Sequence, residues 1–158
     1  MVRAGAGYDN IDLAAATAHN VVAMNTPGQN SNAVAELAIG MMIYQARKQF
    51  NGKSGSELKG KSLGLHAYGN VGKCVASIAK GFGMEIYAFD PYIAREIIEA
   101  DGVHWVGTVE ELYEKSHYVS LHIPANSETK NSINYSLLSS MPKPATLVNP
   151  ARKEVVNE

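Results

Sequence analysis

The stretch Gly64-Leu-His-Ala-Tyr-Gly-Asn-Val-Gly-Lys73 has the spacing of a phosphate-binding turn, with Ala67, Gly69 and Gly72 at the three positions such a turn keeps small. The first position admits a tight turn. The second lets the main chain approach a pyrophosphate, and the third lets a helix pack closely on a strand. Alanine at the first position is acceptable if residue 67 keeps a negative φ. Amides of Asn70 and Val71, at the start of the following helix, then face the phosphates, where the helix dipole favours negative charge. The second chemical signal is Asp90, which ends MEIYAFD eighteen residues beyond Gly72. A carboxylate there accepts hydrogen bonds from the adenosine ribose hydroxyls and repels a 2′-phosphate, which favours NAD over NADP. Pro91 builds no arginine pocket for an extra phosphate. S-adenosylmethionine methyltransferases also join a glycine loop to an acidic residue, so the two signals alone leave that alternative open.

Those residues need a strand to feed the turn and a helix to leave it. The sequence predicts both: a strand over 62–66 and a helix over 70–80. Strands at 84–89, 103–106, 118–123 and 145–149 follow, separated by helices at 93–100, 108–115 and 135–140. Thr108 and Glu111 form a capping box for the second of these. Alternating short apolar strands and helices predict a parallel sheet covered on both faces, an α/β Rossmann-type doubly wound fold. Before the glycine loop the pattern predicts a helix over 9–18, a strand over 21–24, a turn at Asn25-Thr-Pro-Gly28 and a helix over 32–49. Asn30 or Ser31 can cap that last helix. Its apolar content is nearly all-round, so burial on several sides is expected. Residues 51–56 form a polar joint. The domain boundaries drawn from this are 1–31 and 32–158.

Bulk properties narrow the function. The 158 residues are 46% hydrophobic and 18% charged, as in ordinary globular proteins. A net charge of -1 gives no basic field for nucleic acid or an anionic membrane, so neither is expected as a partner. A single cysteine, Cys74, excludes an internal disulfide, and packing explains it best. His19, His104 and His117 are scattered without metal spacing, and no metal is expected. His66 reads as a core histidine. The longest apolar stretch, Leu37 to Tyr44, is far below the ~20 residues that span a bilayer. A cytoplasmic location is the default expectation.

The segments VRAGAGYDNIDLAAA, VVAMNTPGQNSNAVAEL, ELKGKSLGLHAYGNVGKCVASIAKGFGMEIYAFDP, YVSLHIPANSETKNSIN and LVNPARKEVVNE, in this order, resemble the D-isomer-specific 2-hydroxyacid dehydrogenases. The resemblance covers essentially the whole chain. It implies hydride transfer between NAD and a small 2-hydroxy acid, with 3-phosphoglycerate oxidised to 3-phosphohydroxypyruvate, the first committed step of serine synthesis, as the best match. It also implies a homodimer in the full-length form. Residues 1–31 become a remnant of a flavodoxin-like substrate domain. The arginine of the family's N-x-A-R motif falls on Arg152, as the catalytic residue that binds the substrate carboxylate and carbonyl oxygen. Pro150 and Ala151 are placed beside the nicotinamide. Gly69, Asn70, Val71 and Gly72 meet the pyrophosphate, Asp90 the ribose, and His122, Ile123 and Pro124 the adenosine side. Ala4 to Gly7 matches the loop facing nicotinamide and substrate, with Ala6 toward the cofactor and Gly5 and Gly7 toward the substrate. Arg3 is a candidate for the substrate's phosphate or carboxylate, or a partner of Asp9 or Asp12.

The resemblance also exposes departures. The family's acid–base histidine and its orienting glutamate lie beyond the arginine, and none of the five histidines here follows Arg152. Positioned proton transfer is typically worth about 10²–10⁴ in rate. The dinucleotide domain is expected to lack its last strands and leave an apolar edge. The 158 residues alone are therefore expected to be poorly stable and nearly inactive while retaining weak NAD binding. A non-catalytic NAD-binding module, corepressor-like, is the competing expectation.

Overall fold

SLGLH forms β1 (Ser62–His66), and every residue in it is buried. A strand covered on both faces has no side to show to water, which is why it reads as a continuous apolar run. The computed structural model describes Met1 to Glu158. In it β1 pairs in parallel with β2 (Glu85–Phe89) on one side and β4 (Tyr118–Leu121) on the other. The short β3 (His104–Trp105) adds outside β2, and β5 (Thr146–Val148) outside β4, giving the order β3-β2-β1-β4-β5. The direction of strand addition reverses between β1 and β4. In open α/β sheets the ligand crevice lies at that switch point, outside the carboxyl ends of the strands.

Helices cover both faces, as the alternating pattern predicts. On one face α3 (Asn70–Gly81) packs against α2 (Ser31–Ala46), and Val75, Ala76 and Ala79 meet Ala35, Ala38, Ile39 and Met42. Alanines at the crossing let the two helices come close. The α4 helix (Arg95–Ala100) adds Ile98 to this cluster. On the other face α5 (Val109–Glu114) and α6 (Tyr135–Ser140) cover Val119, Leu121 and Ile133 with Leu112 and Tyr113. Each large apolar side chain so buried contributes about 1.5–3 kcal/mol. Thr108 Oγ1 accepts from Glu111 N at 3.1 Å, and Glu111 Oε2 accepts from Gly107 N at 3.1 Å, so the capping box closes one residue earlier than its standard form.

The first thirty residues differ from expectation. The predicted strand at 21–24 shrinks to a single bridge between Val2 and Met24. The predicted helix at 9–18 starts only at Leu13, as α1 (Leu13–Ala18), because Asp12 caps it by accepting from Ala15 N at 2.9 Å. No residue before Ser31 is buried. In α2 burial is one-sided, against the expectation of several sides. The sheet and α3 lie on one flank, and Leu37, Met41 and Tyr44 remain 57%, 39% and 47% exposed. The helix stops at Ala46, short of Gln49, because Lys48, Gln49 and Phe50 all have positive φ and cannot continue a right-handed helix. No helix is long and apolar enough to cross a membrane.

Candidate functional site

The carboxyl edge of the sheet carries three clefts that share walls. The first, about 560 Å³, is lined by Ala67, Asp90, Tyr92, Ile123 and Pro124 among others. The second, about 250 Å³, lies between Gly28, Ser31, Gly69, Asn70, Gly72 and His122. The third, about 610 Å³, is lined by Ala6, Gly7, Tyr8, Asp9, Pro150 and Arg152. Ile123 and Pro124 line both the first and the third, while Ala6, Val71 and His122 line both the second and the third. Through these shared walls the three form one trench, in which the Asp90 cleft and the glycine-loop cleft each adjoin the Arg152 cleft.

At the glycine-loop cleft two helices begin. The caps of α2 and α3, Asn30 and Gly69, make no side-chain capping bond. Ser31 N–H, the first of α2, donates to Gly28 O at 3.2 Å, while no side chain caps the next amides of α2 or the first amides of α3, and the dipoles of both helices favour an anion in the cleft they share. A Cβ added at Gly69 would meet no atom within 4 Å, so the main chain there is bare to the trench. A Cβ at Gly72 would lie 2.5 Å from the carbonyl oxygen of Ala67, so that position must be glycine for α3 to sit on the turn. These are the tasks the sequence assigns to the second and third positions, and together they make a cradle fit for a diphosphate.

The first position corrects the sequence reading. Ala67 has φ 83°, not a negative value. Its N–H donates to Phe89 O at 2.9 Å and Tyr68 N–H donates to Asp90 Oδ2 at 2.8 Å, which carries the β1–β2 pairing past the end of β1. The chain must then turn within two residues into Gly69, and Ala67 takes the left-handed conformation that glycine would adopt freely. The methyl group costs on the order of 1–2 kcal/mol there. It lines the Asp90 cleft without closing it.

Asp90 sits at the far end of the trench. Oδ2 holds Tyr68 N–H, and Oδ1 accepts from Tyr92 N at 2.8 Å. A carboxylate offers about four lone-pair sites, so two remain for hydroxyl donors. It does not cap α4, whose N-cap is Ala94. Ile123 and Pro124 line both the Asp90 cleft and the Arg152 cleft, whereas His122 lines the Arg152 and glycine-loop clefts and not that of Asp90.

Two histidines underlie the switch point. His122 N–H donates to His66 O at 2.9 Å, extending the β1–β4 ladder. Burial, against a weaker pull from Asp90, lowers His66 to about 4. Burial and the neighbouring His66 lower His122 to about 4. Both are neutral at pH 7. His66 Nδ1 lies 3.4 Å from the hydroxyl of Tyr113, a phenol that burial pushes up. His122 Nε2 and Ser120 Oγ are buried without a partner.

At the opposite end of the trench, Arg152 follows β5. Asn149 steadies the turn, accepting Ala151 N–H at 3.0 Å and donating to Arg152 O at 2.8 Å. Arg152 Nη1 donates to Ala151 O at 3.0 Å and Nη2 donates to Asp9 Oδ2 at 2.7 Å. Its hydrogen bond and charge hold the Asp9 carboxyl below the usual carboxylate range. The Ala4–Gly7 loop is pinned by Asn25, which donates to Ala6 O at 2.8 Å, and by Thr26 N–H on Gly5 O at 3.1 Å. The structure thus brings Ala6, Gly7, Val71, His122, Pro150, Ala151 and Arg152 together. It leaves Arg3 folded on its own loop, with Nε donating to Gly7 O at 3.2 Å, and Gly5 packed beside it. Arg3 pairs with neither Asp9, which Arg152 holds, nor Asp12, which caps α1. No group of three or more histidine, cysteine or acidic side chains is gathered as a metal site.

This fold and trench match known proteins. Residues 29–158 match the family model for the NAD-binding domain of D-isomer specific 2-hydroxyacid dehydrogenases, and the chain belongs to that family of NAD-dependent oxidoreductases. Among its relatives, the D-3-phosphoglycerate dehydrogenase of Methanocaldococcus jannaschii is 37% identical over 99% of this chain and 32% of the relative. The hydroxypyruvate reductase of Thermotoga maritima is 34% identical, over 100% of this chain and 55% of the relative. The chain therefore spans a third to about half of the relatives it matches. Among solved structures, NAD+-bound 3-phosphoglycerate dehydrogenase of Entamoeba histolytica superposes with a TM-score of 0.88 at 49% identity, covering 98% of this chain and 49% of that one. The apo D-lactate dehydrogenase of Escherichia coli gives 0.86 at 31%, covering 99% and 53%.

Proposed function

We propose that this chain serves the NAD-dependent oxidation of a D-2-hydroxy acid, with 3-phosphoglycerate as the substrate. The observation that carries the reading is the single trench joining an anion cradle at Gly69–Gly72 to a guanidinium at Arg152. In this reading Asp90 receives the adenosine ribose, Ile123 and Pro124 flank the adenosine, and the first amides of α3, at Asn70 and Val71, hold the diphosphate beside the start of α2. Ala6, Val71, His122, Pro150 and Ala151 border the nicotinamide. When bound, NAD supplies the hydride acceptor. The residues supply position: Arg152 takes the substrate carboxylate and the oxygen borne by the carbon being oxidised, with Gly7 nearby. Arg3 and Gly5 join the substrate only if the loop opens. Residues 1–31 belong to a substrate-binding domain and residues 32–158 to the dinucleotide domain. The protein works in the cytoplasm, as a homodimer that covers the exposed face of α2.

Choice of 3-phosphoglycerate rests on the D-3-phosphoglycerate dehydrogenases among its relatives. The test is calorimetric titration of 3-phosphoglycerate, glycerate and lactate into the NAD-saturated chain and its Arg152→Ala variant. The expected result is preferred binding of 3-phosphoglycerate, lost in the variant while NAD binding persists. Equal binding with and without Arg152 would remove the substrate role.

A second reading, an NAD-binding module without turnover, is favoured by one observation. The histidine bordering the Arg152 cleft, His122, is held neutral with its Nε2 buried, and so is poorly placed to move a proton to substrate. Absence of NAD reduction with 3-phosphoglycerate, despite tight NAD binding, would support it.

A further inference from the structure

Arg152 and Asp9 are 143 residues apart in sequence yet meet at 2.7 Å. Their ion pair stands between two clefts, since both residues line the trench toward the glycine loop and also a separate polar cleft of about 400 Å³ with Lys130 and Glu154. Gly7 makes room for the pair: a Cβ there would lie 3.0 Å from Arg152 Nη2 and 3.4 Å from Asp9 Oδ2. Arginine carries five N–H donors in a rigid fork. Asp9 takes one from Nη2 and Ala151 O one from Nη1, so Nε and the two remaining Nη hydrogens stay free. An unheld arginine would sample many rotamers, and fixing it costs side-chain entropy.

We propose that Asp9 is the positioning residue of this site: its carboxylate clamps one edge of the Arg152 guanidinium and aims the free donors at the carboxylate of the bound 2-hydroxy acid. The proposal rests on the substrate role of Arg152 given above. Asp9 belongs to the first thirty residues and Arg152 to the turn after β5, so the clamp also ties the substrate-facing loop to the dinucleotide domain. With substrate bound, the guanidinium lies between two carboxylates and each uses a different edge of the fork. The opposite possibility, that Asp9 blocks Arg152 and competes with substrate, predicts the reverse sign.

Three variants of the chain test it: Asp9→Ala, Asp9→Asn and Gly7→Ala. The readouts are NAD affinity, 3-phosphoglycerate affinity at saturating NAD, and the ¹⁵N-edited NMR signals of the Arg152 guanidinium. Asp9→Ala is expected to leave NAD affinity within about twofold and weaken 3-phosphoglycerate about threefold to fivefold, the scale of an exposed ion pair. Its separate Arg152 Nη signals collapse to an averaged one. Asp9→Asn, which can still accept the hydrogen bond, recovers part of both effects, and Gly7→Ala reproduces the loss by crowding the pair. Unchanged or tighter 3-phosphoglycerate binding in Asp9→Ala overturns the proposal, as do Nη signals identical to those of the unaltered chain. If the unaltered chain binds NAD but no 2-hydroxy acid, the substrate role of Arg152 fails instead, and the Nη signals still decide whether Asp9 holds the guanidinium.

Discussion

Residues 1–30 and residues 31–158 obey different physics. The later region holds all 35 buried residues, with a parallel sheet sealed by helices on both faces. The earlier region has no fully buried residue, and leaves Met1, Val2, Tyr8, Leu13, Val22 and Met24 between 46% and 70% exposed. Yet it supplies Ala6, Gly7 and Asp9 to the trench. One region is held by its core. The other is held by hydrogen bonds and one ion pair: Asn25 to Ala6, Arg3 N–H to Met24 O, Asp9 to Arg152. A trench so built has one wall fixed by packing and another tied to it across the Asp9–Arg152 pair.

The sharpest way to break this contrast is to truncate an apolar side chain in each region. Leu65→Ala, in β1, is expected to cost about 2–5 kcal/mol by the cavity it leaves. Val22→Ala, 70% exposed, is expected to stay within about 0.5 kcal/mol. Urea unfolding reads both, and similar losses at the two sites would erase the distinction.

Acid probes the next layer, the buried histidines at the switch point. Their folded pKa values near 4 lie below the ordinary 6.5. Below pH 6.5 the unfolded chain takes up protons that the folded chain refuses, so stability is full above about 6.5 and is lost as pH falls toward about 4. The loss is on the order of a few kcal/mol for the pair. Melting temperatures across this range should fall more steeply than those of His66→Gln with His122→Asn. Parallel curves would show that the histidines do not carry the effect.

The smallest effect concerns Ala67. Ala67→Gly relieves the positive φ but frees the unfolded chain, which costs about 0.4–1 kcal/mol, so a net gain between zero and about 1.6 kcal/mol is expected. A loss of stability in the same unfolding experiment would mean the alanine is not strained.

The same division explains what the sequence makes legible. β1 over 62–66 and α6 over 135–140 lie where their patterns predict, because apolar runs and caps are local signals. The fold class follows from strand and helix alternation for the same reason. The strand predicted at 21–24 has the composition of one, but a strand also needs partners, and only Val2 bridges to it. Ala67's φ is set by bonds to β2, and Arg152's partner by a contact spanning nearly the whole chain, so neither is written in its neighbours. Asp9 appears in the sequence only as a possible partner for Arg3. Nothing local marks it for Arg152. One-sided burial of α2 is equally illegible, since an all-round apolar helix does not say which side the sheet takes.

The most direct test of the central claim is calorimetric titration of the chain with NAD and with NADP, repeated with Asp90→Ala. One NAD per chain should bind at least about tenfold more tightly than NADP, a difference of 1.4 kcal/mol, and the preference should vanish when Asp90 is removed. Equal affinity for the two cofactors in the unaltered chain, or a preference that survives Asp90→Ala, would contradict the assignment of that end of the trench.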